Sequence, residues 1–159
     1  MWDQRYAGEA YLFGTSPNAF LAEAAHHLPE GGRVLAVADG EGRNGVWLAE
    51  QGFDVTSVDG SLVALDKARR LAAKRGVNLH LDHVDLLTWA WPKAAYDAVV
   101  AIFIQFAGPA DQPRLLRGLA EALAPGGVLL LQGYRPEQLA NGTGGPPVAE
   151  NMYTEALLR

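Results

Sequence analysis

The chain has no cysteine, which excludes disulfides and thiolate metal ligands and leaves nothing that points to an oxidising compartment. Basic residues are in the minority: 13 Lys and Arg stand against 18 Asp and Glu, for a formal net charge of -5. Phosphate-rich partners are held by clustered Lys and Arg, so neither nucleic acid nor an anionic membrane is expected as a partner. No segment approaches the ~20 apolar residues that span a bilayer. The opening MWDQRYAGEA lacks the basic stretch and apolar run of a secretory signal. The four histidines, His26, His27, His80 and His83, have no companion at ligand spacing, so no metal site is expected. These absences predict a soluble, cytoplasmic protein.

What is present is a chain of 159 residues, 49% hydrophobic and 19% charged, the balance of one globular domain with a full core. From Arg33 onward, apolar runs of strand length alternate with helix-like stretches, the pattern of parallel strands joined by crossover helices. RVLAVA (33–38) reads as the first strand, followed by a helix carrying Val46, Trp47 and Leu48 that Gly52 stops. DVTSVD (54–59) reads as the second strand. Ser61 then caps a helix that Gly76 closes. NLHLDHVD (78–85) is the third strand, and YDAVVAIFIQF (96–106) has the continuous apolarity of a central parallel strand, the fourth. A helix with Leu115, Leu116, Leu119 and Leu123 at helical spacing is predicted to stop at Pro125-Gly126-Gly127, before the fifth strand VLLLQGY. Ahead of the sheet, Ser16 and Pro17 predict the start of an extra helix.

In open α/β sheets ligands lie beyond the carboxyl ends of the strands, where the winding reverses, so the loop after the first strand is the first place to look. There, Gly40, Gly42 and Gly45 satisfy G-x-G-x-x-G, and Asp59 follows nineteen positions after Gly40, where an acidic side chain takes ribose hydroxyls. Taken alone this is a dinucleotide fingerprint. Asp39 and Glu41, however, put two carboxylates where a pyrophosphate would rest, and like charges in a partly desolvated site repel. S-adenosylmethionine offers adenosine to Asp59 without phosphate, and carries a sulfonium and an ammonium group that acidic residues favour.

The glycine spacing resembles motif I of class I S-adenosylmethionine-dependent methyltransferases. GEGRN followed by VWLAEQGFDVTSVDGS is similar to the bacterial tellurite-resistance and thiopurine methyltransferase-like group, and WDQRYAGEAYLFGTSPNAFL, PGGVLLLQGYRPEQL and NGTGGPP resemble its N-terminal cap, fifth strand and following loop. The resemblance implies a Rossmann-like doubly wound sheet of order 3-2-1-4-5. It divides a single methyltransferase domain (1–159) into a cap segment (1–30), a core (31–135) and a terminal loop and helix (136–159). It implies S-adenosylmethionine as cofactor, with Gly40, Glu41 and Gly42 at its methionine part, Asp59 at the ribose, Asp85 and Leu86 at the adenine edge, Ser61 and Leu62 lining the adenine pocket, and Asp39, Asn44 and Gly60 also among the residues that hold it. A carboxylate after the third strand can accept from the adenine amino group while the next backbone N–H donates to a ring nitrogen.

The resembled fold ends in an antiparallel strand pair that this chain is expected to lack, which would leave the fifth strand with an open edge; such edges invite pairing with another chain, and a homodimer through that edge is one expectation. Tyr6, Tyr11, Gln105, Tyr134 and Arg135 are expected to shape the pocket of a small-molecule methyl acceptor beneath an N-terminal lid, although packing accounts equally well for the aromatic members. Trp89 and Trp91 either cover the adenine or simply pack. Displacement at a sulfonium needs alignment more than a base, so a soft or ionised acceptor such as a thiol, selenide or tellurium oxyanion suits a chain with no evident catalytic dyad. Two rivals stand beside this reading: a nicotinamide-dependent oxidoreductase, for which a second nucleotide-binding half is missing, and a non-catalytic cofactor-binding module.

Overall fold

The computed structural model describes residues 2–134. Its centre is a sheet of five strands, β1 (Arg33–Val37), β2 (Asp54–Asp59), β3 (His80–His83), β4 (Tyr96–Ile102) and β5 (Leu123–Gln132). Every pairing is parallel and the order is β3-β2-β1-β4-β5, as the sequence predicts. Five α-helices accompany it: α1 (Trp2–Arg5), α2 (Ala19–Ala24), α3 (Arg43–Glu50), α4 (Leu62–Arg75) and α5 (Gln112–Ala122). None is long and apolar enough to cross a membrane.

The centre of the sheet is its driest part. Val34 on β1 pairs with Val55 on one side and Ala98 on the other, and Val34, Leu35, Val58, Ala98 and Val99 are at most 1% exposed. Each such Val or Leu contributes roughly 1.5–3 kcal/mol when fully buried, so the strands that meet at the reversal of winding are the firmest part of the scaffold. One face of β1 and β4 packs with Leu115, Leu119 and Ala122 of α5, while the other meets Leu21 of α2 and Leu48 of α3. Trp89 and Trp91 lie against the first of these clusters. The Trp91 ring covers Gly118 so closely that a Cβ there would overlap it.

Helix ends follow local chemistry. Ser61 caps α4 by accepting from the Ala64 N–H, and Gly76 closes it at φ +68°, as expected. Two boundaries differ from the sequence reading. Helix α2 starts at Ala19, because Asn18 rather than Ser16 accepts from the Leu21 N–H. Helix α5 ends at Ala122, before Pro125-Gly126-Gly127. Ala124 precedes a proline, which disfavours helical backbone, and β5 already begins at Leu123. The three residues form an irregularity inside β5, where pairing with β4 shifts between Tyr96 and Ala98. At that border of the sheet β5 pairs with β4 alone among the described residues, and Leu129 stands exposed.

Candidate functional site

A cavity of about 540 Å³ opens where the winding reverses between β1 and β4. Its walls come from the loops after β1, β2, β3 and β4, together with Trp2, Asp3, Tyr6 and Phe13 of the N-terminal segment. The volume lies in the usual range for a small-molecule site.

The glycine loop holds its shape through backbone that side chains resist. Gly40 and Gly42 have φ of +58° and +87°, the left-handed region where a Cβ is strained. Space is short as well: a Cβ on Gly40 would come 2.8 Å from the Tyr6 hydroxyl, and one on Gly42 would come 2.7 Å from the Cβ of Ala68. At Gly45 a Cβ would overlap Ser57 Oγ and the Asp39 carboxylate. The third glycine therefore serves the approach of α3 to Asp39 and β2.

Asp59 ties two loops together. Its Oδ2 accepts from the Gly40 N–H at 2.9 Å and its Oδ1 from the Ser61 N–H at 2.9 Å. Burial raises its pKa, against the lowering effect of these N–H bonds. The Gly60 N–H is a third backbone donor to this carboxylate, which still leaves one of its four lone-pair sites for a ligand, and the residue lines the cavity with Gly60.

The two unusual carboxylates are placed differently from the sequence expectation that both serve a cationic ligand. Asp39 accepts from the Gly45 N–H at 3.2 Å and from Ser57 Oγ at 2.8 Å. It takes the place of the side-chain cap that Gly42 does not supply to α3. Burial pushes its carboxyl up to about 7, partly offset by the Ser57 bond and reinforced by the charge of Asp59. Glu41 is 5% exposed. Its Oε1 accepts from the Leu12 N–H at 2.7 Å, and its Oε2 meets Lys67 Nζ at 2.6 Å. Glu41 is therefore neutralised from inside the protein. Both residues still border the cavity, but their hydrogen bonds run into the fold.

The positive end of α3, which in a dinucleotide site receives the pyrophosphate, is already occupied by Asp39.

The N-terminal segment closes the cavity through contacts to α3, α4 and the glycine loop. Lys67 Nζ donates to the Ala10 carbonyl at 2.8 Å, the Asn18 N–H to Asn44 Oδ1 at 2.8 Å, and Arg75 to the Thr15 carbonyl at 3.0 Å. Ser61 Oγ donates to the Asp3 carboxylate, which holds that carboxyl below its ordinary range. Tyr6 is 6% exposed. Burial, followed by the charges of Asp59 and Glu41, drives its hydroxyl pKa far upward, so it stays protonated and cannot act as a base.

The other expected residues divide. Asp85 and Leu86 line the cavity; Asp85 Oδ1 accepts from the Leu87 N–H at 3.0 Å, and no bond to Oδ2 comes from the described residues. Leu62 is 59% exposed and Ser61 is engaged as a cap, and neither borders the cavity. Tyr11 lies outside it too, packed beside Val46, Leu71 and Ala72, with its hydroxyl donating to the Lys67 carbonyl at 3.3 Å. Gln105 is buried and spends its amide on one residue, donating to the Tyr134 carbonyl at 2.7 Å and accepting from the Tyr134 N–H at 2.5 Å. Trp89 and Trp91 pack rather than cover the site. Arg135 and the segment 136–159 lie outside the described residues.

Sequence reasoning missed Asp3, Lys67, His83, Phe103 and Phe106. His83 lines the cavity with a ring nitrogen 3.0 Å from the Gly60 carbonyl. Phe103 and Phe106 border it beyond the end of β4. The available signal was length: the apolar run from Tyr96 to Phe106 exceeds an ordinary strand of five or six residues.

An open parallel sheet with a glycine loop, an acidic β2 terminus and a cavity at the winding reversal defines a nucleoside-binding Rossmann-like fold. The sequence pattern of the family described as "Methyltransferase domain" matches residues 34–127, and the chain belongs to that family. It is 38% identical to a glycine/sarcosine N-methyltransferase of Halorhodospira halochloris over 106 residues, covering 62% of this chain and 38% of that protein. It is 35% identical to a demethylmenaquinone methyltransferase of Thermus thermophilus over 106 residues, covering 65% of this chain and 48% of that protein. The chain thus spans less than half the length of these relatives. Among solved structures, an S-adenosylmethionine dependent methyltransferase from Mesorhizobium loti superposes with a TM-score of 0.65 at 27% identity, over 77% of this chain and 57% of the other.

Proposed function

We propose that the chain binds S-adenosylmethionine in this cavity and transfers its methyl group to a small-molecule acceptor. The observation that carries the reading is the pairing of Asp59, held at the end of β2 where ribose hydroxyls are taken, with an α3 terminus already occupied by Asp39. A nucleoside fits this arrangement and a diphosphate does not. The names of the relatives support the same chemistry.

Bound there, the cofactor supplies a methyl group on a positively charged sulfur, already activated for displacement. Asp59 would accept from the ribose, and Gly40 and Gly42 would let the backbone approach the methionine part. Asp85 and the Leu86 N–H would hold the adenine edge, while Asn44 keeps Asn18 and the N-terminal segment in place. That segment excludes water, and Tyr6, protonated throughout, orients by hydrogen bonding. Methyl transfer from such a donor would be an in-line displacement, for which these residues would supply alignment and shielding rather than a base, with any acceptor proton leaving to bulk solvent once the segment reopens. Because the donor is already activated, an acceptor on a small molecule needs placement in line with the sulfur more than a protein base.

Calorimetric titration with S-adenosylhomocysteine and with NADH tests the reading. Micromolar-range binding of the first alone is expected, about -8 kcal/mol. Asp59→Asn should weaken it by about tenfold or more, as for a lost charged hydrogen bond. Tight binding of NADH, or no binding of S-adenosylhomocysteine, would overturn it.

A further inference from the structure

Among the described residues the exposed aromatic side chains are Trp2, Phe13, Phe103 and Phe106. All four border the same cavity. Single exposed apolar residues need no explanation, whereas a cluster converging on one concavity marks a surface kept for an apolar ligand.

The wall beyond β4 is built rather than incidental. Phe103 has φ +54°, a conformation that a bulky residue adopts only where its surroundings enforce it. Its N–H donates to the Gln132 carbonyl at 2.8 Å, and its ring stacks on Tyr134 with centroids 4.7 Å apart. Gln105 fixes Tyr134 in turn through both amide bonds. Because β4 and β2 flank β1 on opposite sides, this aromatic wall stands across the cavity from Asp59 and Asp85.

Charge narrows the choice further. Among the described residues of the lining, Asp3, Asp59 and Asp85 face Arg43 and His83, while Glu41 is already paired with Lys67 and Asp39 bonds into the fold. An oxyanion would find no excess of positive charge there. An amino-acid acceptor would bring a second carboxylate beside that of the cofactor into a lining that already carries Asp3, Asp59 and Asp85.

We propose that the acceptor is a neutral, apolar ring compound packed against Phe103 and Phe106 under Phe13, and neither an amino acid nor an oxyanion. This rests on the methyltransferase reading above and names the substrate class for the same site. The test is binding of 2-naphthol, glycine and tellurite to the full chain saturated with S-adenosylhomocysteine, followed by calorimetry. Saturable binding of 2-naphthol alone is expected. It should weaken about fivefold or more in Phe106→Ala and in the more exposed Phe13→Ala, while S-adenosylhomocysteine affinity stays within about twofold. Saturable binding of glycine or tellurite, absence of 2-naphthol binding, or indifference of that binding to both substitutions would overturn the proposal. Failure of S-adenosylhomocysteine itself to bind would remove the methyltransferase reading and the proposal with it, a result separable from all the others.

Discussion

Glu41 Oε2 and Lys67 Nζ stand 2.6 Å apart with side chains only 4% and 6% exposed. The pair joins the glycine loop to α4. It also holds the N-terminal segment, since Glu41 accepts from Leu12 and Lys67 donates to Ala10. Lys67→Met should therefore strand a buried carboxylate and lower stability by about 3–5 kcal/mol. Adding Glu41→Gln should recover part of the loss. Urea denaturation of the two variants checks both statements, and a single-variant loss below about 1 kcal/mol would contradict the buried pair.

Asp39 gives the fold a signed pH dependence. Burial raises its pKa from 3.8 to about 7, so between those values the folded chain holds a proton that the unfolded chain has released. Stability from this group is greatest below the unfolded value and falls as pH rises through the window, with a slope of at most about 1.4 kcal/mol per pH unit. Asp39→Asn keeps an oxygen for Gly45 and Ser57 and cannot ionise. The difference in stability between wild type and variant should shift in favour of the variant from pH 4 to pH 7, as measured by thermal or urea denaturation across that range. A constant difference would show that Asp39 is ionised throughout.

Gly42 is restricted twice, by its φ of +87° and by Ala68. Gly42→Ala should cost about 1–3 kcal/mol and displace α4 from the loop. Ala68→Gly in the same chain relieves the crowding but not the backbone strain, so it should restore only part of the stability. Complete restoration would assign the whole effect to packing.

Removing the Asp3 carboxylate leaves the α4 cap intact, because Ser61 Oγ still accepts from Ala64. Asp3→Ala, which leaves no acceptor for Ser61, should accordingly change global stability little, within about 0.5 kcal/mol. It should loosen the N-terminal segment, seen as faster proteolysis ahead of Gly14 and weaker retention of S-adenosylhomocysteine. Unchanged proteolysis would show that Asp3 does not tether the segment.

The sheet order and the position of the cavity were legible because they follow from periodicity and from the glycine spacing, both local features. That Asp59, Gly40 and Asp85 border the cavity was legible for the same reason, as each ends or follows a strand. The partners of Asp39 and Glu41 were not. Nothing near Glu41 in sequence announces Lys67, which lies 26 positions away on α4, so a carboxylate beside a glycine looked free for a ligand when it was already paired. Gln105 misled in the same way, its amide being taken by Tyr134 29 positions on. Phe103 and Phe106 were hidden by hydrophobicity itself, since an apolar run does not reveal where the strand stops and the wall of a cavity begins. Leu62 stands outside the cavity lining through helix phase, since the residue after the cap is exposed.

The four tryptophans are spread unevenly around the site. Trp2 borders the cavity and stacks on Tyr6 with ring centroids 5.7 Å apart. Trp47 packs behind β1, and Trp89 and Trp91 sit together against α5. One indole in four therefore stands where a guest arrives, while the remaining three emit from surroundings the guest does not touch. The protein carries its own fluorescent gauge of occupancy, and Trp2→Phe would silence the gauge without dimming the background.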